Sequence, residues 1–132
     1  MISHLLDTDV CIYALKRRSA KLAEALKEHD GRIGISDITL FELHYGAALY
    51  EKPSTRIEVI ESFAARVSVL PFESRAAMHA GQIRAALRLK GQTIGAYDVL
   101  IAGLARANGY SLVTNNVREF SRVEGLRLEK WI

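Results

Sequence analysis

Ile2-Ser3-His4-Leu5-Leu6-Asp7-Thr8-Asp9-Val10-Cys11-Ile12-Tyr13-Ala14 opens the chain and decides its class. Ile2 to Leu6 reads as a short buried strand. Thr8 or Asp9 is placed to cap a helix whose apolar positions are Val10, Tyr13 and Ala14. Strand, turn and helix follow one another without a linker, and the pattern repeats. Leu22 and Leu26 mark a second helix that stops at Asp30-Gly31, and Ile33-Gly34-Ile35 is a second strand. Ser36 caps a third helix, on which Ile38, Glu42, Tyr45 and Leu49 recur at helical spacing and put Glu42 on an apolar face.

Pro53 takes the first position of a fourth helix carrying Ile57, Ile60 and Phe63 or Ala64, and Val67 to Leu70 follows as a strand. Ala76, Ala80, Ile83 and Leu87 define a fifth helix that ends at Gly91. After the 92–95 loop, Val99, Ala102, Leu104 and Ala105 define a sixth, which Asn108-Gly109 ends with a left-handed cap. Ser111 to Thr114 is the next strand, and Leu126 to Leu128 adds a short last one. Strands alternating with helices of this length predict a three-layer α/β/α fold, with a mostly parallel central sheet of four to five strands. Neither a repeat nor a Pro/Gly/Ser-rich linker divides residues 1–132, so one domain is expected.

The composition narrows the class further. Hydrophobic residues make up 49% and charged residues 25% of the 132, which excludes disordered, collagen-like and disulfide-scaffold chains. The longest apolar run, Val99 to Ala105, is far too short to span a membrane, and Met1 to Leu6 lacks the pattern of a signal peptide, so a cytoplasmic chain is expected. Cys11 is the only cysteine, which leaves oxygen or histidine to hold any metal. The net charge of +3 favours an anionic polymer only mildly. Placement of the acids says more. Asp7, Glu42 and Asp98 lie among apolar residues, whereas most other acids sit beside Lys, Arg or loop residues.

Ligands of parallel α/β sheets collect beyond the carboxyl ends of the strands. Asp7 ends the first strand, Glu42 follows the second by less than two helical turns, and Asn116 and Glu119 follow the strand that ends at Thr114. Asp98 falls in the first turn of the sixth helix, and only the topology carries it to the same rim. Each acid alone has a structural reading: Asp7 as a helix cap, Asp98 as a carboxylate at a helix N-terminus, Glu42 and Glu119 as solvated charges. Together they would repel unless a cation neutralised them. Hard oxygen ligands favour Mg²⁺ or Mn²⁺, ions suited to phosphodiester hydrolysis.

The chain resembles the PIN-domain ribonucleases, and within them the VapC-type toxins of bacterial toxin–antitoxin pairs. Leu5-Leu6-Asp7-Thr8-Asp9-Val10, Ser36-Asp37-Ile38-Thr39-Leu40-Phe41-Glu42-Leu43, Ile94-Gly95-Ala96-Tyr97-Asp98-Val99-Leu100-Ile101-Ala102 and Val113-Thr114-Asn115-Asn116-Val117-Arg118-Glu119-Phe120 carry the resemblance in order. It implies endonucleolytic cleavage of RNA with Mg²⁺ or Mn²⁺, in a tRNA such as initiator tRNA or in ribosomal RNA, which blocks translation. It also implies inhibition by a VapB-type antitoxin, a homodimer, and a toxin–antitoxin complex that binds operator DNA through the antitoxin. Carried over residue by residue, Asp7, Glu42 and Asp98 are the acidic triad and Glu119 the fourth acid, all catalytic and metal-binding. Thr8, Asp9, Ser36, Thr39 and Thr114 support them. Many relatives have Asp where this chain has Asn116, whose amide can bind phosphate as well as metal.

Arg84 and Arg88, one helical turn apart and followed by Lys90, are candidates for the RNA backbone or a plain solvated face. His4 and His44 have no partner at metal-ligand spacing. Tyr13, Phe41, Tyr45 and Tyr50 are either core or a partner surface. Rival readings remain. Asp7-Thr8-Asp9 also suits a haloacid-dehalogenase-type phosphatase, but Cys11 stands where that class has threonine. A phospho-receiver needs an acceptor Asp after the third strand, where this chain has Pro71-Phe72. A catalytically inactive PIN-like binding module is the third alternative.

Overall fold

The computed structural model describes residues 1–132. In chain order the elements are β1 (His4–Leu6), α1 (Thr8–Leu15), α2 (Ala20–Glu28), β2 (Ile33–Ser36), α3 (Asp37–Ala48), α4 (Ser54–Ala64), β3 (Ser68–Leu70), α5 (Ser74–Leu89), α6 (Ala96–Asn108), β4 (Ser111–Val113), α7 (Val117–Phe120) and β5 (Arg127–Glu129). The five strands run in the order β3-β2-β1-β4-β5, every neighbouring pair parallel. The chain fills one half of the sheet from β1 outward, then crosses back to β4 on the other side of β1. The order therefore reverses between β1 and β4, where open parallel sheets place their ligands.

Pleating separates the two cores. Leu5 and Leu112 point into one cluster with Ala76, Ala80, Ile83 and Leu87 of α5 and Val99, Ile101 and Leu104 of α6. Leu6 and Val113, one residue on, point into the other with Val10, Leu22, Leu43 and Ile60 of α1 to α4. Helices α5 and α6 pack closely because Gly103 lacks a side chain. A Cβ there would lie 2.7 Å from the Ala80 Cβ and 2.9 Å from the Ala76 carbonyl oxygen. Gly109 adopts φ 71° and ends α6 in the expected left-handed cap.

Several expectations need correction. Asp7, not Thr8 or Asp9, is the N-cap of α1, because the helix begins directly at Thr8. Pro53 is the residue before α4 rather than its first. The buried stripe of α3 is Thr39, Leu43 and Ala47, while Tyr45 and Leu49 are 61% and 70% exposed. Phe41 and Tyr50 are also exposed, and Tyr13 is half-buried against the α1–α4 core. The single turn α7 and the buried Trp131 beyond β5 were not foreseen. His4 is a strand residue, as expected, and its Nε2 pairs with Glu129 Oε2 at 2.7 Å. No helix is long and apolar enough to cross a membrane.

Candidate active site

Asp7 leaves the carboxyl end of β1 at the point where the strand order reverses, and both its oxygens are held. The Val10 amide donates to Oδ1 at 2.9 Å, and the Thr114 hydroxyl, just past β4, donates to Oδ2 at 2.5 Å. The same carboxylate therefore starts a helix and joins two adjacent strand ends. Its exposure is 3%, and burial pushes its pKa up from 3.8 to about 6, against the opposing pull of the Thr114 and Val10 hydrogen bonds. Asp9 and Glu42 add like-charge repulsion.

Glu42 reaches the rim from the second turn of α3, which Ser36 starts by accepting the Ile38 amide at 3.0 Å. The Thr8 hydroxyl donates to Glu42 Oε1 at 2.7 Å and lies 3.1 Å from the Thr39 hydroxyl. Asp98 stands in the first turn of α6, and its pKa is also pushed up to about 6. Burial is the main cause, followed by repulsion from Asp7, Glu42, Asp9 and Glu119. Four carboxylates thus act on Asp98 at this end of the sheet, and two of them, Asp9 and Glu42, act on Asp7 as well. None of them pairs with lysine or arginine: the ion pairs of the chain are His4–Glu129 and Lys90–Glu124.

Beyond β4, the Asn116 backbone amide donates to the Thr114 hydroxyl at 2.9 Å, and the Asn116 side-chain amide donates to Glu119 Oε2 at 2.7 Å. Asn115 Oδ1 is buried without a hydrogen-bond partner. Asn115 carries no role in the sequence pattern above; the signal available was an amide doublet directly after a strand at the ligand-binding rim. Acidic, histidine and cysteine side chains do not close into a three-ligand cage here, and hydroxyl and amide donors meet oxygens of Asp7, Glu42 and Glu119. The donor set is nevertheless all hard oxygen with uncompensated negative charge, and that chemistry fits Mg²⁺ or Mn²⁺.

Residues 4–126 match the PIN domain family. The chain is 45% identical to the tRNA(fMet)-specific endonuclease VapC of Shigella flexneri over 131 residues, 99% of each chain. It is 42% identical to Ribonuclease VapC of Haemophilus influenzae (strain 86-028NP) over the whole of both. The toxin chain in the crystal structure of DNA-bound VapBC from Salmonella typhimurium superposes with a TM-score of 0.96 at 43% identity, covering 100% of both chains. The chain belongs to the PIN-domain family, as a VapC ribonuclease.

In this PIN domain the sequence-predicted residues separate into groups. Asp7, Glu42 and Asp98 converge electrostatically, with Thr8, Thr39 and Thr114 inside their hydrogen-bond network. Glu119 joins through its repulsion of Asp98 and its bond from Asn116. Asp9 is exposed on α1 and acts on the site only by charge. Ser36 is buried at the start of α3, where it caps the helix that carries Glu42. Arg84 and Arg88 lie outside the network, on the exposed end of α5. The phosphatase and receiver readings fall with the family assignment.

Proposed function

We propose that this VapC ribonuclease is a toxin that hydrolyses RNA endonucleolytically with Mg²⁺ or Mn²⁺ held by Asp7, Glu42 and Asp98, with Glu119 as a fourth acid. The observation that carries this reading is the pairing of buried Asp7 with half-buried Asp98 at the strand-order reversal, both raised in pKa and neither in an ion pair with lysine or arginine. When bound, a divalent cation there supplies Lewis-acid stabilisation of the phosphate and a lower pKa for the attacking water. Thr114 and the Val10 amide fix Asp7 in one orientation. Thr8 engages Oε1 of Glu42, which leaves Oε2 to face the cation or to orient the water. The side chain of Asn116 is turned to Glu119, so it positions that acid rather than contacting metal itself.

Initiator tRNA is the proposed substrate, on the strength of the Shigella relative's name. Neutralisation by an antitoxin follows from the VapBC complex among the solved relatives, and DNA binding by the joint complex from the DNA bound there. A groove of about 820 Å³ between α1, α2 and α4, with Leu15, Leu26 and Phe63 among its walls, suits an amphipathic segment of that antitoxin. Assembly with a second copy, and a cytoplasmic location, belong to the same reading. The deciding experiment incubates purified protein with initiator tRNA in Mg²⁺ or Mn²⁺ and in chelator. Discrete cleavage with metal alone is expected; tRNA left intact in both would favour the inactive binding module.

A further inference from the structure

A groove of about 290 Å³ lies between the end of α5, the loop before α6 and the first turn of α6. Half-buried Ile94 forms its apolar wall above a floor of buried Leu87 and Val99, and Arg84, Arg88 and Gln92 line its polar side. It belongs to the rim that carries the carboxylates. Val99 directly follows Asp98, and Arg122, just past α7, donates to the Thr93 carbonyl at 3.1 Å. That bond ties the groove's loop to the segment bearing Asn116 and Glu119. Arg84 and Arg88 are exposed and enter no ion pair, whereas nearby Lys90 is engaged by Glu124.

We propose that this groove is a nucleotide subsite: it receives one unstacked base of the RNA strand against Ile94, over the floor that buried Leu87 and Val99 form, with the adjoining phosphates on Arg84 and Arg88. The inference rests on the ribonuclease reading and adds a place for the strand beside the cleavage site. Single-stranded RNA is recognised through splayed bases that pack on side chains and guanidinium planes and bond along their edges. Gln92 offers both a donor and an acceptor to such an edge. The volume is just under the ~300 Å³ at which ligand pockets begin, which suits one nucleotide and not a duplex. A purely electrostatic contact would need the arginines but no apolar wall. Seating one base here would hold the next phosphate near Asp98, an orientation effect on the reaction.

The test measures binding in chelator, so it answers for the groove whether or not the chain then cleaves. The probes are a short oligouridine and a ribose-phosphate strand of the same length without bases. Wild-type protein should prefer oligouridine by about threefold to tenfold, and Ile94→Ser should remove the preference while leaving affinity for the base-free strand unchanged. Arg84→Ala with Arg88→Ala should weaken both probes and lower the slope of log affinity against log salt by about 1.4, two single-strand phosphate contacts. Equal wild-type affinity for both probes would overturn base docking without any variant being needed. An unchanged salt slope in the double variant would remove the arginines from the strand's path.

Discussion

Gly95 leaves the space that the Asp98 carboxylate occupies over the first turn of α6: a Cβ on Gly95 would lie 2.9 Å from Asp98 Oδ2. Gly95 has φ −53° and ψ 144°, which any residue adopts, so the missing side chain serves the carboxylate and not the backbone. Gly95→Ala is expected to displace the Asp98 carboxylate and cut RNA cleavage at least about tenfold. Its cost in stability should stay within ~1 kcal/mol, the usual loss when a helix cap becomes alanine. Cleavage rates and melting temperature in chelator, measured on the same protein, separate the two. Unimpaired cleavage would show that Asp98 works from another position.

The raised pKa values of Asp7 and Asp98 set the pH dependence of stability. Each has a pKa near 3.8 when unfolded and about 6 in the fold. Between those values the native state holds the extra proton, so stability falls as pH rises through the window and stays low above it. For Asp7 the whole effect is about 3 kcal/mol. Asp98→Asn removes one of the two groups at nearly constant volume. In chelator, its melting temperature relative to wild type should therefore climb between pH 4 and pH 7, as about 6 is passed. A difference that does not vary with pH would remove Asp98 from the repelling cluster.

Cation binding should reverse that penalty. Mg²⁺ or Mn²⁺ added at neutral pH should raise the melting temperature of wild type, because a ligand of the folded state stabilises it by mass action. At pH 5 the gain should shrink, since protons compete for the same carboxylates. Asn116→Asp exchanges the amide bond to Glu119 for a carboxylate facing a carboxylate. It should cost ~1–3 kcal/mol in chelator and respond more strongly than wild type to the cation. An equal response would show that a second carboxylate beside Glu119 does not strengthen the ion's site.

The acids were legible because each interrupts an apolar context: Asp7 after Leu5-Leu6, Glu42 one turn into α3, and Asp98 before Val99 to Ala105. The alternation of strand and helix then placed them together. Hydropathy could not choose between two stripes on α3, since exposed Leu49 is as apolar as the buried Leu43 and Tyr45 adds an aromatic ring to its stripe. Packing of α3 against β2 and α1 chose Thr39, and with it the hydroxyl beside Thr8. The four residues of α7 are too few to show a helical period. The double duty of Asp7 was missed because Thr8 and Asp9 compete for the cap on paper. In the fold Thr8 is turned inward to Glu42, and Asp9 outward.

Thr114 tunes Asp7 and so should be visible in the pH profile of the reaction. Its hydroxyl donates to Asp7 Oδ2 and accepts the Asn116 amide, and the first of these bonds lowers the Asp7 pKa. Thr114→Val keeps the shape and removes both bonds. Asp7 Oδ2 and the half-buried Asn116 amide, left without these partners, should cost ~1–3 kcal/mol. With the donor gone, the pKa of metal-free Asp7 rises further, so protons compete better with the cation for this carboxylate. The acid limb of kcat/KM against pH should then move to higher pH, with a larger loss of activity at pH 6 than at pH 8. Thr114→Ser restores the hydroxyl and should bring the limb back. A purely structural Thr114 would lower activity equally at every pH, because packing damage carries no proton dependence.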